Sequence, residues 1–199
     1  MGGRLEGPVV AYGIIGSVAL ASVAMLGAAG IGEEGIRLVI RITGRVSMLL
    51  FAAAFAASSA FAVSRNATTR WLRRNRRYLG VGFAGSQTIH LLAIVALAAT
   101  VQEFRDGVGV ETLVVGGMAY VFTFAMAATS FDAAVRRLGR GWHRLHLVGS
   151  WWIFAVFALT ILPDAGTSVV GAVLSAALIG AWALRVAARR GVRAAAVAP

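Results

Sequence analysis

Three histidines are the only strong candidate metal ligands in this chain, because none of its 199 residues is a cysteine. A thiolate ligand, an iron–sulfur cluster, a disulfide and a covalently attached c-type haem are excluded together. His90 is the most informative of the three, since it stands in the charge-free run from Tyr78 to Gln102. The pair Arg76-Arg77 marks the start of that run. At about 1.5 Å per helical residue His90 lies about 18–20 Å further on, just past the middle of a hydrocarbon core. An ionisable side chain at that depth marks a functional site by default. Gly82, Phe83 and Ser86 share its helical face and Gly85 lies beside it, so a flat macrocycle could approach the backbone there. The competing reading is a neutral histidine hydrogen-bonded to a neighbouring helix. His143 and His146, spaced i and i+3, can share a helical face, but at a polar boundary a solvated pair is as common as a ligating one. Zinc needs three or four ligands, and Asp132 is the only further candidate nearby in sequence, which disfavours it.

The elements that must position these residues are legible in the composition. Hydrophobic residues make up 59% of the chain and charged residues 14%, against about a quarter charged in a soluble domain. Six runs, at about 8–31, 46–64, 78–101, 112–131, 147–163 and 166–185, come close to the about 20 apolar residues a transmembrane helix requires. The expectation is an all-α membrane protein, a single six-helix bundle over 1–199 embedded in lipid. The first run is longer than the apolar part of a signal peptide, about 7–15 residues, and is read as a retained span. Gly80–Gly85 spells GxGxxG, but inside a span and without a preceding strand it fails the context of a dinucleotide site, and close helix packing or cofactor clearance explains its glycines better. Asn66-Ala67-Thr68 matches a glycosylation acceptor on the side read as cytoplasmic and is discounted.

The formal charge of +11 comes from arginine, since there is no lysine. These arginines gather at the ends of the apolar runs, so they report orientation and not a nucleic-acid partner. Arg65, Arg70, Arg73, Arg74, Arg76 and Arg77 fill one connection, Arg136, Arg137, Arg140 and Arg144 a second, and Arg185, Arg189, Arg190 and Arg193 follow the last run. The opposite side sets Arg37, Arg41, Arg45 and Arg105 against Glu33, Glu34, Glu103, Asp106, Glu111 and Asp164. The richer side belongs in the cytoplasm, with both termini.

From about residue 40 to 162 the order of features resembles the ferric-reductase-like membrane domain and, within it, the MsrQ (YedZ) family, the haem-bearing membrane subunit of a bacterial periplasmic methionine sulfoxide reductase system. The residues that carry the resemblance are Thr43-Gly44-Arg45, Arg76-Arg77-Tyr78-Leu79-Gly80, His90-Leu91, Ala128-Thr129-Ser130, Leu138-Gly139, Trp142 and Leu145-His146. The resemblance implies one or two b-type haems, with His90 and His146 as iron ligands. It implies electrons drawn from the quinone pool or a cytoplasmic flavin reductase and passed to a periplasmic acceptor across the bacterial inner membrane, flavin or quinone being a possible second cofactor. The chain is then an electron-transfer subunit and not a self-contained enzyme. Arg45 on the outer side and Arg77 or Arg144 on the inner side are the candidates to neutralise haem propionates, and solvated boundary arginines are the plainer reading of each. The family places a further histidine thirteen residues after the one matching His146, where this chain has Leu159. Depth along span four then makes Met118 the candidate ligand opposite His90, with an open position as the alternative.

Two other readings stay open. A haem-free structural or assembly subunit of the same fold is consistent with Leu159. A small transporter is less so, because spans one, two, four and six lack ionisable residues at mid-membrane depth.

Overall fold

The computed structural model describes residues 6–197, with side chains through Gly191. Arg193 lies outside the described side chains, and the chain ends outside the described residues. Every regular element is helical: α1 (Pro8–Ala29), α2 (Glu33–Val63), α3 (Ala67–Thr100), α4 (Gln102–Gly107), α5 (Val110–Ala128), α6 (Asp132–Leu138), α7 (Arg140–Ile161), a 3-10 turn over Leu162–Gly166, and α8 (Val169–Val197). Among the described residues six helices, α1, α2, α3, α5, α7 and α8, are long and apolar enough to cross a membrane. The chain is a six-helix, multi-pass membrane protein, with its broad exposed apolar surface turned to lipid.

Helix ends depart from the apolar runs where capping and helix propensity outweigh hydropathy. With 31 and 34 residues, α2 and α3 reach about 46 and 51 Å, beyond a core of about 30 Å. Arginine is a good helix former, so α3 carries Arg70 to Arg77 in regular helix. Its start is set by Asn66, whose side chain accepts from the Thr69 amide at 2.9 Å while its own amide donates to Thr69 Oγ1 at 3.2 Å. Asn66, discounted as a glycosylation acceptor, is thus a helix cap. Likewise α7 begins at Arg140, after Gly139 breaks the chain at φ 48°, so His143 and His146 stand in its first two turns and not in a connection.

Helices α2 and α3 form an antiparallel hairpin joined by a polar ladder. Thr43 meets His90 at 2.9 Å, Ser47 donates to Ser86 at 2.8 Å, and Arg76 donates to Ser58 at 3.4 Å. Such short side chains bring helix backbones close and supply hydrogen bonds where lipid offers none. Helix α1 runs parallel to α3. The Gly7 amide donates to buried Asn75 Oδ1 at 2.9 Å, and the Asn75 amide group donates to Trp71 O at 3.1 Å. A Cβ on Gly82 would meet Ile14 Cδ1 at 2.9 Å, and one on Gly85 would overlap Ile15. The glycines below His90 therefore make room for α1 and not for a macrocycle.

The core lies where α2, α3, α7 and α8 meet. Met48, Phe51, Phe55, Phe83, Ile153, Leu174 and Leu178 fill it. Phe51 packs on Phe55, Phe157 and Phe83 at centroid distances of 5.2, 5.5 and 5.7 Å, within the range of favourable aromatic pairs. Helix α5 is held against α7 by Trp152, whose indole N–H donates to Val115 O at 3.2 Å. Gly149 gives the close approach, for a Cβ there would be 3.0 Å from Met126 Sδ.

Candidate functional site

Below the aromatic core, at the end of the bundle that carries Arg73 to Arg77, a cavity of about 410 Å³ opens between α2, α3, α5 and α7. Its apolar wall is Phe51, Phe55, Phe83 and Met126, and its polar rim is Arg73, Arg74, Arg76, Arg77, Ser130 and Asp132. Trp142, His146 and Ser150, one helical turn apart along α7, form a further wall. Several bonds hold the rim together. The Arg77 Nε–H donates to Ser130 O and its Nη1 pairs with Asp132 Oδ1 at 2.7 Å, which ties α3 to the segment between α5 and α6. Trp142 donates to Thr129 O at 3.0 Å. The His146 ring stacks on Trp142 at 4.0 Å and 27°, with Nε2 at 3.4 Å from Thr129 Oγ1. Thr129 gives its only hydroxyl proton to the backbone, Ala125 O being 2.7 Å away. It therefore faces His146 as an acceptor, and the complementary tautomer carries the proton on Nε2 and leaves the Nδ1 lone pair unprotonated.

The other cluster surrounds His90, on the ladder between α2 and α3. Thr43 Oγ1 donates to Val39 O at 2.6 Å, so toward His90 Nδ1, 2.9 Å away, it can only accept. This assigns the proton to Nδ1 and leaves Nε2 as the free lone pair. A metal-ligating histidine has the same arrangement, with its other ring N–H held by a fixed acceptor. Gly44 permits it, because a Cβ there would be 3.2 Å from His90 Cε1. No protein-family model matches the chain, and no solved structure matches it.

The candidates read from the sequence are placed unequally. His146 and Arg77 line the cavity, and Arg77 is already paired with Asp132. Arg144 is exposed and outside the lining. Arg45 is half-buried next to Gly44 and has no acidic partner among the described residues. His143 is exposed, with Nδ1 at 3.1 Å from Gly139 O. Met118 is 38% exposed on α5; Met126, two turns further along, is the methionine in the cavity wall. Leu159 is 72% exposed and faces outward. Thirteen residues of regular helix rotate by about 220°, so a residue at that spacing leaves the face of His146 whatever its depth.

From the sequence Thr43 stood out only as a carrier of the resemblance and Asp132 only as a possible zinc ligand; tertiary packing is what sets them against His90 and Arg77. Arg185, the first of the arginines that follow the last apolar run, is not among the residues lining the cavity. Its guanidinium lies 4.0 Å over the ring of Phe55 and its Nη1 is buried without a hydrogen-bond partner. Among the described residues no three of His, Asp and Glu converge, so a metal at these histidines would need a form that takes one or two protein ligands, as haem iron does.

Proposed function

We propose that this chain is a b-type haem membrane protein that passes single electrons through the bilayer, as its resemblance to the ferric-reductase-like domain and the MsrQ (YedZ) family suggests. The observation that carries the reading is convergence. Residues of the resemblance scattered between 43 and 146 gather in two places, Thr43 and Gly44 around His90, and Arg77, Thr129, Ser130 and Trp142 around His146. A core-packing role for either histidine gives no reason for that grouping.

The inner cavity fits the chemistry of a haem. Its about 410 Å³ falls in the about 300–1,000 Å³ range of cofactor sites. An aromatic wall suits a macrocycle, and an arginine rim suits its carboxylates. His146 would hold the iron there, and His90 Nε2 is the ligand available for a second haem nearer the other side. Bound haem supplies one-electron oxidation and reduction. The chain supplies the rest: Thr43 orients His90, Trp142 and Thr129 orient His146, the Arg77–Asp132 pair holds the rim in place, and the phenylalanine core between the clusters excludes water. The donor in this reading is quinone or a cytoplasmic flavin reductase, and the acceptor a periplasmic redox protein beside a bacterial inner membrane.

A haem-free structural subunit is the second reading, favoured by the outward Leu159 and by a His90 whose Nδ1–H is already bonded. The absorption spectrum separates them. Protein purified in detergent is expected to show a Soret band and a reduced α band, and a colourless preparation from haem-replete cells would sink the first reading.

Orientation is part of the proposal. The arginine-rich inner rim, residues 65–77 and 132–145, faces the cytoplasm. Because the chain has no cysteine, Thr68→Cys provides a single probe. It should resist an impermeant thiol reagent in intact cells and react after lysis; labelling in intact cells reverses the topology.

A further inference from the structure

The sequence assigns Arg37, Arg41 and Arg45, a stripe along α2, to the outer side, and the packing puts the last two inside the span. Helix α1 measures that span, because its 22 residues carry no charge and reach about 33 Å. Its inner end is fixed at Asn75 by the Gly7 amide at 2.9 Å, and Arg76, next to Asn75, meets Ser58 of α2 at 3.4 Å. Its outer end is fixed at Gly35, where a Cβ would overlap the Gly30 carbonyl. Measured inward from Gly35, Arg41 is about 9 Å and Arg45 about 15 Å into the span. Arg45 is near its middle.

Neither arginine has a counter-charge. Among the described residues none gives either guanidinium a carboxylate, a hydrogen bond or an aromatic ring, whereas Arg37 has Glu33 at 2.7 Å. Thr43 and Ser47 turn toward α3, and Arg45, two residues from each, lies about 160–200° round the helix from both. It faces away from His90 and from any ligand there. Neither the inner cavity nor an outer one along Glu33, Glu34, Arg37, Leu38 and Arg41 includes Arg45 in its lining. Leu49, one turn below Arg45, is 45% exposed, so this face of α2 is open to the bilayer. A charge inside a span pairs with another group there. Lipid phosphates come within reach of Arg41 by snorkelling, but Arg45 is more than a side-chain length below them. A second copy has no carboxylate for that depth, since all eight acidic residues lie in connections or in the first turn of a helix.

We propose that the Arg41–Arg45 face of α2 is the docking surface for a transmembrane helix of another protein, apolar except for a carboxylate that meets Arg45 at mid-span. The carboxylate accepts from the guanidinium N–H donors, and a charge-assisted pair of this kind is strong where water does not compete. The inference stands apart from what the histidines bind.

The test uses the full chain in phosphatidylcholine vesicles, labelled at Thr68→Cys, and a synthetic leucine–alanine transmembrane peptide with one aspartate at its centre, or asparagine in its place. A central position makes the orientation of the peptide immaterial. The quantity read, by resonance energy transfer, is the ratio of the two association constants. Wild type should favour the aspartate peptide about tenfold or more, the size of one charge-assisted hydrogen bond. Arg45→Gln should bring the ratio to about one while the asparagine peptide associates as before, which reports an intact fold, and Arg45→Lys should keep most of the preference. Where Arg45→Gln fails to insert, the same ratio is read on Arg45→Met. A wild-type ratio near one overturns the docking surface, and so does a preference that survives the loss of the Arg45 charge. A preference abolished by adding phosphatidylglycerol to the vesicles makes a lipid phosphate the occupant and overturns it as well.

Discussion

His146→Ala protein is expected to lose the haem of the inner cavity, seen as loss of that haem's share of the Soret absorbance and of extractable haem, while His143→Ala keeps it. The two residues are one turn apart on α7 and chemically identical, so the contrast isolates position. His146 is on the cavity wall, stacked on Trp142 and faced by Thr129; His143 is exposed and outside the lining. Nothing else in the lining can replace an imidazole fully. Met126 is the only sulfur there, and its Sδ is packed against Gly149; Ser150 is a poor iron ligand. Because no second histidine lines the cavity, this haem should not be a bis-histidine centre, and when reduced it should bind carbon monoxide or respond to Met126→Leu. Haem content unchanged in His146→Ala would remove the inner site from the proposal. A low-spin bis-imidazole resonance that vanishes with His146→Ala would mean that the bundle packs differently around a bound haem.

At the other cluster, His90→Ala is expected to eliminate the second haem outright, and Thr43→Val to weaken it without eliminating it. Thr43 touches only the far nitrogen of the ring. Removing its hydroxyl takes one partner from the ring, which keeps its hydrogen bond to the Ile40 backbone, and loosens the orientation that exposes Nε2. Loss of such a supporting partner weakens metal sites by about 10–100-fold. Thr43→Ser, which restores the acceptor, should recover most of the loss, and a merely structural role for the methyl group predicts the reverse order. Measured on haem content and on the midpoint potential of what remains, His90→Ala, Thr43→Val and Thr43→Ser should form a graded series. Equal haem in wild type and His90→Ala would return His90 to the role of a hydrogen-bonded core histidine.

Hydropathy alone determined that this chain makes six membrane-crossing helices, because partition into hydrocarbon is a local property of each segment. The arginines marked the ends of the apolar runs for the same reason. Rise per residue was also sufficient to separate the levels of His90 and His146. Helix ends were less legible: Asn66 and Gly139 set them through capping and backbone conformation, which carried α3 and α7 beyond their apolar runs. What only the tertiary structure decided is direction around each helix and the identity of the neighbour. Gly82 and Gly85 allowed either close helix packing or clearance for a cofactor, and they receive Ile14 and Ile15 of α1. Arg77 was a candidate to neutralise a haem propionate and is bound to Asp132, while Arg185, at the end of the last run, lies over the Phe55 ring. The physical reason is common to these cases. Lipid solvates an apolar helix equally well on every face, so hydropathy fixes that a helix spans but leaves its rotation free, and that rotation is set by the hydrogen bonds and close contacts it makes with other helices.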